Sequence, residues 1–375
     1  MATYYWVGGT GAWDDITHWS ATSGGSGGAG VPTSVDDVIL DSSSGSGTWQ
    51  MGNAAFSCRN LTVSSSTSLT SFQQAGLNPN TANIINLYGN FTANKTFFFN
   101  NGSNMAVRIV ASKFGSQTIN ASGVGTNNYL ALTVKSGSTT TITSAFAFGA
   151  GPERTFTIES GGSVVLQIDI YSCKDFTCQS GASLTFGGGG AYDFYFDNSF
   201  TVDSGATVSV PNGGWEIYAN APGIANLTFS GGGKTYPPLF FQNSNAGFYS
   251  ITDYSQLTIL DTNTFFLVQV RLSNYINMRV ILAANIIATI YVGFVNTNTP
   301  YLYNFRTYLQ SSVNGVARSI TSPTKTTNKY LIVQDMTVTG STNDPMLAFA
   351  SDNCVNNGNN TNWNFGASGF PIILD

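Results

Sequence analysis

The chain has 375 residues, 42% of them hydrophobic and only 9% charged, with a formal net charge of −5. That apolar content supports a sizeable core and excludes global disorder, while 14 Lys and Arg without a basic cluster exclude nucleic-acid binding through phosphate contacts. The surface must therefore be finished by Ser, Thr and Asn, and the opening Met1-Ala-Thr-Tyr-Tyr-Trp6 carries neither the basic nor the apolar segment of a classical secretory signal.

Residues 1–50 read as a Trp/Gly-rich cap or attachment module. Trp6, Trp13 and Trp19 alternate with Gly8-Gly9 and Gly11, which suit tight turns between aromatic strand residues, and a Gly/Ser loop from Thr22 to Gly30 leads into Val31-Pro32-Thr33. The single histidine, His18, has no nucleophile motif beside it and is expected to pack between Trp13 and Trp19 rather than to catalyse. Asp14-Asp15, Asp36-Asp37 and Asp41 carry oxygen ligands that suit Ca²⁺, but without the spacing of an EF-hand or a glycine-rich calcium repeat. Asp36-Asp37 before Val38-Ile39-Leu40 reads more simply as a turn into a strand.

Residues 51–264 carry a repeat. Leu132-Thr-Val-Lys-Ser-Gly137, Phe156-Thr-Ile-Glu-Ser-Gly161, Phe176-Thr-Cys-Gln-Ser-Gly181 and Phe200-Thr-Val-Asp-Ser-Gly205 share one pattern, with the serines at 136, 160, 180 and 204. A spacing near 20 to 24 residues is one turn of a parallel β-solenoid, in which alternate apolar residues point inward and Ser-Gly closes a corner. Leu61-Thr-Val-Ser-Ser-Ser, Leu227-Thr-Phe-Ser-Gly-Gly and Leu257-Thr-Ile-Leu-Asp read as degenerate copies. The fold expected is all-β, a parallel β-solenoid or β-helix-like array of short strands behind an aromatic N-terminal cap, with a β-sandwich or jelly roll as the alternative.

Chemistry within this region is sparse. Besides the three glutamates, Glu153, Glu159 and Glu216, Asp169 with Asp193 or Asp197 could converge across adjacent turns as a glycosidase pair, although turn and capping roles are the simpler reading for the aspartates. Cys58, Cys173, Cys178 and Cys354 lack a CxxC pair and read as buried thiols in strands. Ser138-Thr-Thr-Thr-Ile-Thr143 has the composition of a flat ice- or sugar-binding face, yet its Thr rows do not recur on every turn. Asn60-Leu-Thr62 and Asn226-Leu-Thr228 are acceptor triplets that carry no information outside a eukaryotic secretory context.

Residues 265–375 form an apolar β region with an Asn-rich end. Val280 to Phe305 is apolar but β-branched, and is interrupted by Asn285, Thr289 and Asn296-Thr-Asn-Thr-Pro300, so it reads as buried strands rather than a membrane span. Its loss of the Ser-Gly signature fits either a wider core or a face turned to a partner chain.

Two stretches carry a resemblance. Tyr5-Trp-Val-Gly-Gly-Thr-Gly-Ala-Trp13, continuing through His18-Trp19-Ser20 to Val31-Pro32-Thr33-Ser34-Val35-Asp36-Asp37-Val38, resembles the start of β-rich virion structural proteins of tailed bacteriophages. Asp352-Asn-Cys-Val-Asn-Asn-Gly-Asn-Asn-Thr-Asn-Trp363-Asn-Phe365 is similar to their C-terminal signature. The resemblance covers about sixty residues and implies a fibre, spike or capsid-decoration component, assembled in the host cytoplasm and released in the virion. It also implies a homo-oligomer, a trimer by expectation, with other virion proteins and a host-surface glycan as partners. No catalytic, metal-binding or cofactor-binding residue carries over, and a non-enzymatic role is expected. The competing expectations are a tailspike-type polysaccharide depolymerase and a secreted glycan-binding adhesin.

Overall fold

The computed structural model describes residues 1–51, 55–74, 83–95, 98–99, 107–122, 130–149, 154–211, 213–243, 254–272, 276–294, 307–322, 331–339, 346–347 and 354–365. Among them the structure is β throughout, broken only by two single-turn 3₁₀ segments at Ile16–His18 and Ser42–Ser44. The chain forms two compact units, one of residues 1–194 and 205–212, the other of residues 195–204 and 213–375.

In the first unit, each circuit of the chain adds a strand to columns of parallel pairs. One column runs through Asp37–Leu40, Leu61–Val63, Phe91–Ala93, Gly115–Asn120, Ser138–Ile142, Ser163–Leu166, Ser183–Phe186 and Thr207–Ser209. A second runs through Phe56–Cys58, Asn83–Leu87, Val107–Ala111, Leu130–Val134, Thr155–Ile158 and the end of Ile170–Cys178. This is a parallel β-solenoid. Sandwiches and jelly rolls need antiparallel ladders, and among the described residues the antiparallel pairing is that of Thr3–Trp6 with Trp19–Ser20.

The repeat read from the sequence is the second column and its corner. Leu132 pairs with Phe156 and Phe156 with Phe176, all fully buried, and each such side chain contributes roughly 1.5–3 kcal/mol by leaving water. Two of the degenerate copies fall elsewhere. Leu61 pairs with Val38 and Phe91 in the first column, on the far side of the corner from Leu132. Leu227 is offset by two residues, since Phe200 pairs with Phe229 rather than with Leu227. The period-2 alternation of a strand conserves which face is apolar under a two-residue shift, so the pattern alone does not fix the register.

The opening segment joins the first column directly, Thr3, Tyr4 and Tyr5 pairing with Asp37, Val38 and Ile39. Its aromatic cluster is continuous. Trp13 stacks on Phe56 at 3.8 Å and meets Trp19 edge-on at 4.7 Å, while Trp49 meets Phe72 at 4.8 Å. The indole N–H of Trp6 donates to Gly9 O at 2.7 Å and that of Trp19 to Trp13 O at 2.6 Å, so these rings are buried without losing their polar bonds.

The second unit repeats a three-strand circuit. Asn226–Ser230, Tyr254–Ile259, Asn277–Leu282, Thr307–Ser311 and Leu331–Gln334 stack in one column. Trp215–Ala221, Leu239–Asn243, Val268–Leu272 and Ile290–Phe294 form another, and short strands from Thr235–Tyr236 to Met336–Thr339 make the third. The described part of the apolar stretch after Phe265, residues 265–272 and 276–294, therefore supplies ordinary solenoid strands, while residues 295–306 lie outside the described residues. No helix among the described residues is long and apolar enough to cross a membrane.

The Asn-rich end binds backbone. Asn360 accepts from the Met336 amide at 2.9 Å and donates to Val333 O at 2.8 Å, and Asn362 donates to Val338 O at 2.7 Å. An amide side chain offers a donor and an acceptor as a peptide does, so these asparagines add side-chain bonds to the backbone ladder that Asn357 and Thr361 make with the same strands. Asp352 and Asn353 lie outside the described residues.

Candidate functional site

The Ser-Gly corners explain how the first unit presents its surface. Lys135-Ser136-Gly137-Ser138, Glu159-Ser160-Gly161-Gly162 and Gln179-Ser180-Gly181-Ala182 each close with a bond from the fourth amide to the first carbonyl, of 3.1, 2.8 and 2.9 Å. The third residue holds φ of 76°, 77° and 81°, the left-handed value that a type II turn demands and glycine meets without strain. Gly115, Gly137, Gly161, Gly181 and Gly205 are joined in series, each amide donating to the next carbonyl at 2.8 to 3.2 Å.

Beyond each corner, alternate residues point out of the sheet. The strand registers align Ser116, Thr139, Ser163, Ser183 and Thr207 in one row and Thr118, Thr141, Val165, Thr185 and Ser209 in the next. Of the residues that alternate with them, Thr140, Ile142, Val164, Leu166, Leu184 and Phe186 are buried. Nine of the ten outward positions thus carry hydroxyls and none is charged. The rows lie about 6.8 Å apart along the strand and repeat about every 4.8 Å across it. Threonine alone marks only Ser138–Thr143. Serine completes the rows, and the signal is position: the residues two and four after the glycines 137, 161, 181 and 205.

Phe114 stands at the head of this surface and is 91% exposed. Its ring lies against Gly137, where an added β-carbon would come within 2.6 Å of the ring edge. Nothing in the spacing of the repeat singles it out, because it replaces the corner serine of the later turns.

The carboxylates go to separate structural tasks. Burial acts to raise the Asp36 pKa, but bonds donated by Thr33 and the Ala2 amide outweigh it and hold the group below the usual carboxylate range. Asp37 pairs with the Arg59 guanidinium and accepts from Asn60 at 2.7 Å. Asp15 and Asp41 cap the two 3₁₀ segments, and the Thr17 hydroxyl and amide hold the Asp15 carboxyl low. Among the described residues no three His, Cys, Asp or Glu side chains gather where they could hold a metal ion.

Asp169 does meet its neighbour on the next turn, but through backbone. Its carboxylate accepts from the Asp193 amide at 2.8 Å and from the Tyr171 phenol at 2.7 Å. Burial first, and the Asp169 carboxylate next, push that phenol up to about 12. Asp197 belongs to the other unit. Glu159 pairs with Lys135 at 2.6 Å, Glu216 accepts from the Tyr218 phenol, and Glu153 lies outside the described residues.

His18 does not sit between Trp13 and Trp19, which touch each other directly. Its ring stacks on Trp6 at 4.6 Å and 8°, and Nδ1 lies 2.6 Å from Val7 O. A carbonyl only accepts, so Nδ1 carries the proton. The ring fits because Gly8 and Gly11 face it; a β-carbon on Gly11 would overlap the imidazole. Cys58, Cys173, Cys178 and Cys354 are buried outside disulfides, and burial, aided by Asp37, pushes the Cys58 thiol pKa up.

The second unit carries its own aromatic stack, in which Tyr218 and Phe240 are buried. Tyr195, Tyr218 and Phe240 lie ring on ring at 4.5 and 5.0 Å, with the Arg271 guanidinium 4.3 Å above Phe240 and donating to the Tyr218 phenol at 3.1 Å.

The class is thus a parallel β-solenoid, and among the described residues its first unit carries an uncharged hydroxyl grid. No family model, no curated protein and no solved structure matches the chain.

Proposed function

We propose that the chain is a structural component of a tailed-phage virion, of fibre, spike or capsid-decoration type, acting by rigidity and self-association rather than by chemistry. The observation that carries this reading is the use of polar groups as architecture. Corner glycines are bonded in series, Asp36, Asp37, Asp41 and Asp169 brace backbone or neighbouring side chains, and the terminal asparagines bond the strands of the preceding turn. A solenoid whose turns contact only their neighbours gains stiffness from such repeated bonds. The resemblance of Tyr5–Trp13 and of the Asn-rich end to virion proteins supports the same reading, and a surface with few charges keeps its interactions across a wide range of salt.

The proposal includes assembly as a homotrimer alongside other virion proteins. The test is a mass-spectrometric inventory of purified phage particles, paired with light scattering on the purified protein. Peptides of this chain at stoichiometric level and a mass three times that of the 39.7 kDa monomer are expected. A strictly monomeric protein absent from particles would overturn the reading.

A further inference from the structure

We infer that the outward face built by Ser116, Thr139, Ser163, Ser183 and Thr207 with Thr118, Thr141, Val165, Thr185 and Ser209, headed by Phe114, is a binding surface for an uncharged polysaccharide. The inference goes beyond the structural role. It shares with it only the expectation of a host-surface glycan, and the two are separated by experiment.

Three observations converge on this ligand. The first is regularity: the ten positions are fixed in register by five parallel strands, so the backbone that carries the hydroxyls is preorganised and needs no ordering when a ligand lies on it. Among the described residues none of these hydroxyls is tied to another side chain. The second is charge. The array holds no ionised group, so it offers donors and acceptors matched to sugar hydroxyls and no counter-ion for an anionic polymer or a phosphate. The third is Phe114, whose exposed ring is seated on Gly137 at the corner end of the strands. It lies two residues before Ser116, and Gly137 lies two residues before Thr139. An aromatic face beside hydrogen-bonding groups is the combination that a pyranose requires, the ring packing on the C–H face while the hydroxyls are bonded alongside.

The composition of the rows separates a glycan from ice. Four of the ten positions are serine, whose hydroxyl rotates to suit its partner; such adaptable groups favour a ligand with varied hydroxyl orientations over a fixed water lattice.

Affinity electrophoresis of the purified protein through gels containing dextran, mannan, galactan or laminarin, with alginate and heparin as anionic controls, tests the inference. Retardation by at least one neutral polymer and by neither anion is expected. Phe114→Ala and, separately, Thr141→Glu or Thr185→Glu should each weaken it about tenfold while circular dichroism stays that of the parent. Lack of retardation by any neutral polymer, retention by the anions instead, retardation that survives all three substitutions, or adsorption to growing ice crystals without glycan binding would each overturn it. Retardation by a protein that is absent from phage particles supports the inference and removes the virion reading.

Discussion

Gly161 lies over Ser136 of the preceding turn so closely that a β-carbon on the glycine would stand 2.7 Å from the serine hydroxyl oxygen. Gly181 stands in the same relation to Ser160, at 3.0 Å. The Ser-Gly pair is therefore a contact between turns as well as a bend within one: the serine of one corner occupies the room that the glycine of the next leaves open.

Gly161→Ala should destabilise the protein by about 2 kcal/mol, combining a left-handed φ that alanine resists with the loss of that room. Gly189→Ala, where the added carbon meets nothing within 4 Å and φ is not in the left-handed region, should change stability by less than about 0.5 kcal/mol. Urea unfolding midpoints of the two variants against the parent measure the difference. Equal midpoints would show that the corner is not under this constraint.

His18→Ala removes a ring stacked on Trp6 and the donor to Val7 O, and should destabilise the opening segment by about 2 kcal/mol. Tryptophan emission should shift to longer wavelength as Trp6 meets water. His18→Phe, which keeps a ring but no donor, should retain most of the emission position while losing part of the stability.

The four cysteines should fail to react with a thiol reagent at pH 8 while the protein is native, and all should react in denaturant. Burial keeps each thiol from solvent and disfavours the Cys58 thiolate. Stoichiometric labelling of the native protein would contradict the packing described.

Asp335 sets an acid limit on the second unit. The Asn359 side chain and the Gly315 amide donate to its carboxylate at 2.8 and 2.9 Å and hold its pKa below the ordinary 3.8. A carboxyl depressed in the folded state adds stability that is fully present above the unfolded pKa and lost as pH falls through the folded one. Stability should therefore decline below about pH 4, and Asp335→Asn should flatten that decline. Urea midpoints between pH 2 and 6 report it, and a variant as acid-sensitive as the parent would assign the decline to other carboxylates.

What the sequence made legible follows from the geometry of a circuit. Leu132, Phe156 and Phe176 could be aligned because each lies at the same distance from a Ser-Gly corner, and the structure pairs them. Leu61 could not, because apolar-Thr-apolar suits a strand on either side of the corner. The hydroxyl rows were hidden because serine and threonine are interchangeable outward but look different in a repeat, and because Val165 interrupts one row. Asp169 and Asp193 lie on adjacent turns, yet the bond between them runs from carboxylate to amide, a distinction that residue type does not carry. His18 and Trp6 are 12 positions apart, and their stacking depends on two glycines whose role appears only when the ring is in place.

The glycine series along the corner has a direction. From Gly115 to Gly181 each N–H points toward the C-terminal side, to the carbonyl of a turn made later in the chain. The dipoles add head to tail, and every completed circuit leaves a donor waiting for the next. A chain that leaves the ribosome N-terminus first thus carries, at each finished corner, an N–H aimed at the turn still to come.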